Sequence, residues 1–480
     1  MSSLLLCLLW LGCRADEPAG PADAPGTDGA SAPTGATAAT GSSTTDTSPT
    51  SASEPRHLLM ISIDTLRRDA LVRYGGEGSM PFLDQLASES LVADDHGACS
   101  NWTFHSTACT MRGAYPEDWG FVPGFSLAGP TEPVPDGTPM LATWLGDAGF
   151  QSALVSTNKL FSSAHGNAQG FDTVILSPRL GFTPASVAAE EALVQLAALR
   201  EAERRYVHLH LMEPHQPYDP PVEWLVGLDA LPPIAYDLTT KEGHNQALED
   251  ISYGRIDPAT ADNVAAHMRR RYQGELGWLD HQLGELWGTL EADGWLDDTL
   301  VVVWTDHGEQ FYERGYQAHA WTLFAEENDG LFFLWSNGIE GASHEGPTSS
   351  IDIVPTVLER LGVAIPAEVD GLPLGQAPAD RPRFALSKGK GGVFQSVQMG
   401  SDRLHFGWTD PASAPPFAPY AHGVKRFDRA TDPGELVDLA APGDPRTQEL
   451  WELLIPRIET VQGISGDAAF LPAGYSLGGP

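Results

Sequence analysis

Basic residues are the scarcer charged class in this 480-residue chain: 28 Lys and Arg stand against 64 Asp and Glu, a formal net charge of −36. A field of that sign repels polyanions and argues against nucleic acid as a partner. It also repels a sulfate or phosphate ester, so any anionic substrate requires a metal or a local cluster of Arg and His. Solubility in a salty environment is the simpler account of the acidity. Cysteine is nearly absent. Cys7 and Cys13 fall within the first thirteen residues, leaving Cys99 and Cys109, ten positions apart and outside any metal-ligand pattern. An oxidising compartment permits those two to pair, but their spacing alone does not bring their Cα atoms within disulfide reach. The apolar stretch Ser3 to Gly12 is far shorter than the ~20 residues a membrane-spanning helix needs, and it ends at Leu11-Gly12-Cys13.

That short run reads as a signal peptide over residues 1–13. A small residue directly before a cysteine resembles the bacterial lipobox, in which Cys13 becomes the lipidated N-terminus of a cell-envelope protein, periplasmic or at the cell surface, touching the membrane only through its anchor. An ordinary cleaved signal would instead make the protein secreted. Residues 14–55 are almost entirely Ala, Thr, Ser, Pro, Gly and Asp, which offer no apolar face to offset the entropy of ordering. This segment is expected to be a disordered tether that extends the reach of the domain behind it.

The remainder has room for one large α/β domain with a smaller one appended. His57-Leu-Leu-Met-Ile-Ser-Ile63 is a nearly unbroken apolar run, as in a strand buried on both faces of a parallel sheet. Runs at Ser152 to Ser156, Tyr206 to Met212 and Thr299 to Trp304 alternate with helical patterns at Met80 to Ser90, Met140 to Ala148, Pro184 to Arg204 and Thr260 to Ala292. Such alternation predicts an α/β fold with a mixed or parallel sheet, whose ligands bind beyond the carboxyl ends of the strands. Polar residues gather at three of those ends: Asp64-Thr65, Glu213-Pro214-His215 and Thr305-Asp306-His307. From about residue 376 short strands and a helix near Gln448 to Val461 predict an α+β subdomain over 376–480, behind a main domain at 56–375, with an extended tail after Gly466.

Any single Asp at a strand end could equally cap a helix. Two carboxylates with an imidazole, Asp64, Asp306 and His307, suit one hard or borderline divalent cation: Ca²⁺, Mg²⁺, Mn²⁺ or Zn²⁺. The motifs extend the case. Ile61-Ser-Ile-Asp64-Thr-Leu-Arg67-Arg-Asp69 and Trp304-Thr-Asp306-His307-Gly308-Glu309 resemble the two metal motifs of the sulfatase family of the alkaline phosphatase superfamily. Glu213-Pro-His215-Gln-Pro-Tyr218-Asp-Pro-Pro221, Ile351-Asp-Ile-Val-Pro355-Thr and Phe427-Asp-Arg-Ala-Thr-Asp-Pro433 resemble later segments of that family, in the same order. The resemblance implies an alkaline-phosphatase-like, mostly parallel sheet flanked by helices, a metal, with Ca²⁺ the first choice, and an anionic ester substrate, including sulfated glycans.

In that family the nucleophile sits at a helix N-terminus within Cys/Ser-x-Pro-x-Arg, and the Cys or Ser becomes formylglycine. Aligning on Gly113-Ala114-Tyr115-Pro116 puts Thr103 at the nucleophile position, with His105 and Thr107 in place of Pro and Arg. Cys99 is followed by Ser-Asn-Trp-Thr and Cys109 by Thr-Met-Arg-Gly, so no formylglycine is expected. A threonine ester must be cleared by direct attack of water, and the hydroxyl needs a base or a metal to ionise; family relatives with Thr or Ser here commonly process phosphate and phosphonate esters. By the same resemblance His215 and His319 are candidate catalytic groups, and Asn158, Lys159, His105 and Arg67 candidate substrate contacts. His165 and His422 read as ordinary histidines. Two functions follow: a metal-dependent hydrolase of sulfate or phospho-esters, and a degenerate envelope lipoprotein that binds sulfated glycans.

Overall fold

Strand β1 (His57–Ile63) is buried at every position, as its apolar run requires of a strand covered on both faces. Its side chains alternate between two cores: Leu59, Ile61 and Ile63 enter one, Leu58 and Met60 the other. The computed structural model describes residues 55–126, 129–176, 184–389, 392–408, 423–462 and 475. The segments expected to be a signal peptide with Cys13 and a tether, up to residue 54, together with His422 and the tail after Gly466, Tyr475 apart, lie outside the described residues.

β1 lies within an eight-stranded sheet with β2 (Leu91–Gly97), β3 (Phe150–Ser156), β4 (Thr173–Leu176), β5 (Arg204–Leu211), β6 (Thr299–Thr305), β7 (Phe332–Trp335) and β8 (Ala342–Ser349). Their order is β8-β2-β7-β6-β1-β5-β3-β4. The pairs β1–β5, β1–β6, β3–β5, β3–β4 and β2–β8 are parallel, whereas β7 runs against both neighbours. The sheet is therefore mixed and mostly parallel. One face is covered by α1 (Pro81–Ser88) with α4 (Ala185–Ala198), α5 (Lys241–Ser252) and α6 (Pro258–Ala292); the other by α2 (Thr103–Arg112), α3 (Leu141–Asp147) and α7 (Ile353–Arg360). The 35-residue α6 starts where Pro258 follows Asp257, whose carboxylate accepts from the N–H groups of Ala259 and Thr260 at 3.1 Å each.

Strands β2 and β8 and helix α5 were not legible as elements. β2 carries Asp94, Asp95 and His96, and β8 carries Gly346 and Pro347, residues depleted from strands. β8 lies at the edge of the sheet, where a proline costs no ladder bond. The stretch between Trp224 and Ala259 contains α5.

A second, antiparallel sheet of β9 (Arg383–Gly389), β10 (Gly392–Met399), β11 (Asp402–Trp408) and β12 (Gly423–Asp428) packs on α8 (Pro445–Gln462). Val397, Leu404 and Phe406 meet Leu450, Trp451, Leu454 and Ile458 in its core. Arg383 bridges to Asp95 at 2.8 Å, Arg403 to Asp329 at 2.7 Å and Arg457 to Asp118 at 2.8 Å, joining this subdomain to the main sheet.

Cys99 and Cys109 are disulfide-bonded, with Cα atoms 6.7 Å apart, tying the segment after β2 to the middle of α2. Closing a loop of this size stabilises a fold by about 2 to 3 kcal/mol in the chain-entropy account. The Cys99→Ser/Cys109→Ser double variant is expected to melt several degrees below the wild type, and reductant to lower the wild-type midpoint alone; equal midpoints in calorimetry would refute this.

Candidate active site

Parallel strands align their carboxyl ends, so β1, β5 and β6 deliver their next residues to one edge of the sheet: Ile63 pairs with Leu211 and with Thr305. Asp64 and Asp306-His307 follow directly, all three fully buried. One donor atom from each lies within 4.8 Å of the others. His307 Nε2 is 3.7 Å from Asp64 Oδ1 and 3.6 Å from Asp306 Oδ2. Those two carboxylate oxygens have no hydrogen-bond partner in spite of their burial. Burial and the Asp64 carboxylate push Asp306 well above the usual carboxylate range. Asp64, against the upward push of burial, is held below it by His215, a bond from His210 and His307. Two orphaned buried carboxylate oxygens around a nitrogen lone pair are a possible cation site, and the donor set fits a divalent metal.

His307 turns Nε2 toward the two carboxylates. Its Nδ1 bonds to the carbonyl oxygen of Gly308 at 2.9 Å, which leaves Nε2 to face the carboxylates. Burial, then His319, lowers its pKa to about 3. The backbone beside the trio is strained: Thr65, β-branched, has φ 56°. It is held by its N–H donating to Asp306 Oδ1 at 3.2 Å and by the Tyr272 hydroxyl donating to its carbonyl oxygen at 2.9 Å.

Thr103 is the first residue of α2, where backbone N–H groups lack intrahelical partners. Its hydroxyl donates to Asp64 Oδ2 at 3.2 Å and lies 3.5 Å from His307 Nε2. Ser106, one turn on, donates to the Asp306 carbonyl oxygen and pins the helix to the trio. The rings of His307, His319 and His215 form a row, with centroids 4.6 and 5.0 Å apart. His319 stands between Ala318 and Ala320, both in the left-handed region at φ 72° and 67°. Its Nδ1 bonds to Glu309 Oε1 at 3.0 Å, while Glu309 Oε2 accepts from the Tyr218 hydroxyl at 2.9 Å. Behind this row the buried Glu327 accepts from Asn101, Gln310, Trp321 and Thr322, fastening three site segments to one carboxylate.

The four residues expected as substrate contacts are placed as follows. Arg67 spends its guanidinium on Asp69 at 2.8 and 2.7 Å, on the Glu309 carbonyl oxygen at 2.9 Å and on Glu313 at 2.5 Å, so it braces loops instead of offering a free cation. His105 is buried against Trp102 and Phe121, its Nδ1 accepting from the Trp102 indole at 2.9 Å, and burial lowers its pKa to about 3; a neutral, walled-in ring does not counter an anion. Asn158 is in the site but holds a ligand: its amide donates to Asp64 Oδ2 at 3.0 Å and its oxygen accepts from the Leu160 N–H at 3.0 Å. Lys159 is exposed.

The sequence reading also missed participants. His210 Nε2 lies 3.6 Å from Asp64 Oδ2, and Glu309 and Glu327 position the histidine row. The available signal was His208-Leu209-His210, two imidazoles on one face of an otherwise apolar strand. A cleft of about 850 Å³ opens between Arg67, Glu313, Asp329 and Arg429, yet the trio is not in its wall. The orphaned carboxylates mark the chemistry better than the volume does.

A sulfatase family model matches residues 56–363. Choline-sulfatase of Rhizobium meliloti (strain 1021) is 31% identical over 132 residues, which cover 27% of this chain and 25% of the relative. The chain thus spans about a quarter of that relative's length. Among solved structures, one in complex with its substrate D-glucosamine-2-N,6-O-disulfate has a TM-score of 0.67 at 17% identity, covering 86% of this chain and 99% of the other. Phosphonate monoester hydrolase from Silicibacter pomeroyi has a TM-score of 0.63 at 21% identity, covering 85% and 95%. At these identities the structures share the fold, a mostly parallel sheet flanked by helices.

Proposed function

This chain belongs to the sulfatase family, and from that premise we propose that it is a metal-dependent hydrolase of sulfate or phosphate and phosphonate esters with Thr103 as nucleophile. The observation that carries the reading is the Thr103 hydroxyl at the start of α2, within 3.2 Å of Asp64 Oδ2 and 3.5 Å of His307 Nε2. Asp64, Asp306 and His307 would hold a divalent cation, which supplies Lewis acidity to the ester oxygens and eases ionisation of a nearby hydroxyl. The imidazole, a borderline donor, favours Mn²⁺ or Zn²⁺ over the Ca²⁺ that the motifs put first.

The residues divide the work. Thr103 Oγ1 passes its proton to Asp64 Oδ2, to which it already donates, and forms the bond to sulfur or phosphorus while the bond to the leaving oxygen breaks. The row of His319 and His215 protonates that oxygen, with His319 oriented by Glu309. Water then attacks sulfur or phosphorus, gives a proton to an imidazole, and releases Thr103, whose oxygen takes its proton back from Asp64. The open N–H groups of the first turn of α2 favour the negative charge that gathers there. The lipobox-like Cys13 and the tether support a cell-envelope location, where sulfated glycans are a plausible substrate class.

Purified protein stripped with EDTA is expected to be inactive. Added Mn²⁺, Zn²⁺, Mg²⁺ or Ca²⁺ should restore release of p-nitrophenol from its sulfate, phosphate or phenylphosphonate ester by on the order of 100-fold or more. No release from any ester with any metal, together with binding of sulfated glycan, would replace this reading with the binding lipoprotein.

A further inference from the structure

Three buried polar side chains stand directly behind Asp64 and take no part in the steps above. Ser62, His208 and His210 are each 0% exposed. Ser62 pairs with His210 and Met60 with His208 across β1 and β5, so all three side chains share a sheet face with Asp64, two residues beyond Ser62. Ser62 Oγ lies 2.8 Å from His208 Nε2 and 2.8 Å from His210 Nδ1. His210 Nε2 in turn lies 3.6 Å from Asp64 Oδ2. Phe161 packs on the His210 ring at 4.6 Å between centroids, and Phe171 and Trp304 each lie 6.3 Å from His208. In such apolar surroundings an unsatisfied polar group is costly, so the polarity of each bond matters.

A serine hydroxyl has one proton to donate, which couples the tautomers of the two rings. When Ser62 donates to His210 Nδ1, the His210 proton resides on Nε2 and faces the Asp64 carboxylate, and the Ser62 oxygen accepts from His208 Nε2–H. The opposite polarity sets an Nε2 lone pair of His210 against the carboxylate. We propose that His208, Ser62 and His210 form a one-way hydrogen-bond chain that orients Asp64 as a metal ligand. Thr103, Asn158 and His210 then all present donors to Oδ2, at 3.2, 3.0 and 3.6 Å. Oδ1, the oxygen without a partner, is left for the cation. The three are positioning residues, acting through Asp64 as outer-shell partners of metal ligands commonly do.

The proposal rests on Asp64 being a ligand, and its test reads metal affinity and tautomer, not turnover. Histidine-selective ¹⁵N labelling of the metal-free protein, with His210→Gln used to assign the resonance, is expected to show the His210 proton on Nε2. Mn²⁺ titrated into each folded protein and followed by electron paramagnetic resonance should bind about tenfold or more weakly to Ser62→Ala and His210→Phe. His210→Gln, whose amide nitrogen falls where Nε2 was and still donates, should stay within about threefold of wild type. A wild-type His210 proton on Nδ1 would turn the ring into an acceptor toward the site and overturn the chain, as would Ser62→Ala and His210→Phe binding Mn²⁺ as tightly as wild type. If His210→Phe does not fold, the tautomer and Ser62→Ala decide. A wild type that binds no Mn²⁺ sinks the metal reading and this proposal together; intact wild-type binding with indifferent variants sinks this proposal alone.

Discussion

Thr103→Ala is expected to lower kcat for ester hydrolysis on the order of 10³-fold or more while leaving Mn²⁺ affinity within a few-fold of wild type. Removing the atom that forms the covalent bond eliminates the two-step route, and only the polarising surroundings remain to act on a direct attack by water. Thr103 is 4% exposed and starts a helix anchored by Ser106 and the disulfide, so the loss of a hydroxyl and a methyl should leave α2 in place. Thr103→Ser separates chemistry from packing, because it keeps the oxygen and should retain measurable turnover. Steady-state rates on the best chromogenic ester, with the metal dissociation constant measured in parallel, check both halves. An alanine variant that turns over at the wild-type rate would remove Thr103 from the mechanism without touching the fold.

Asp306→Asn should have an effect of similar size by a different route, losing Mn²⁺ affinity by 100-fold or more and activity with it. Asp306 Oδ1 accepts from the Thr65 and His307 N–H groups, which the asparagine oxygen can also do, but Oδ2 is an orphaned buried oxygen that the substitution turns into an amide donor. A cation at about 100 times its dissociation constant stabilises a folded protein by about 2.7 kcal/mol. Saturating Mn²⁺ should therefore raise the melting midpoint of the wild type and leave the variant unmoved. In the metal-free state the order reverses: burial and the Asp64 carboxylate oppose the charge on Asp306, and a neutral amide in its place removes that cost. Calorimetry with and without Mn²⁺ measures both signs, and a variant that still gains stability from the metal would show that Asp306 is not a ligand.

Much of this arrangement was legible because each member of the buried trio lies next to a strongly patterned strand. The run His57 to Ile63 announces a buried strand, and Asp64 is the next residue; the same holds for Thr299 to Thr305 and Asp306-His307. Thr103 was picked out only by the family resemblance, aligned on Gly113-Ala114-Tyr115-Pro116; in the structure it is the first residue of α2, which ends at Gly113 with φ 67°. Arg67 and His105 were misjudged for one reason: residue type shows what a side chain can do, while its neighbours decide whether that capacity is already used. Asp69 and Glu313 claim the guanidinium, and Trp102 with Phe121 encloses the imidazole.

The amino-acid order alone thus determined the α/β alternation and the strand ends that carry Asp64, Asp306 and His307, because these are local matters of periodicity and adjacency, whereas the place of Thr103 came from the family resemblance. Folding settled which oxygen of Asp64 is left without a donor, which nitrogen of His307 faces it, and that Ser62, His208 and His210 stand in line behind it. Apart from the His307 bond to its neighbour Gly308, those choices depend on strand register and on hydrogen bonds between residues 39 to 148 positions apart, and pairings at such separations leave no periodic trace in the chain.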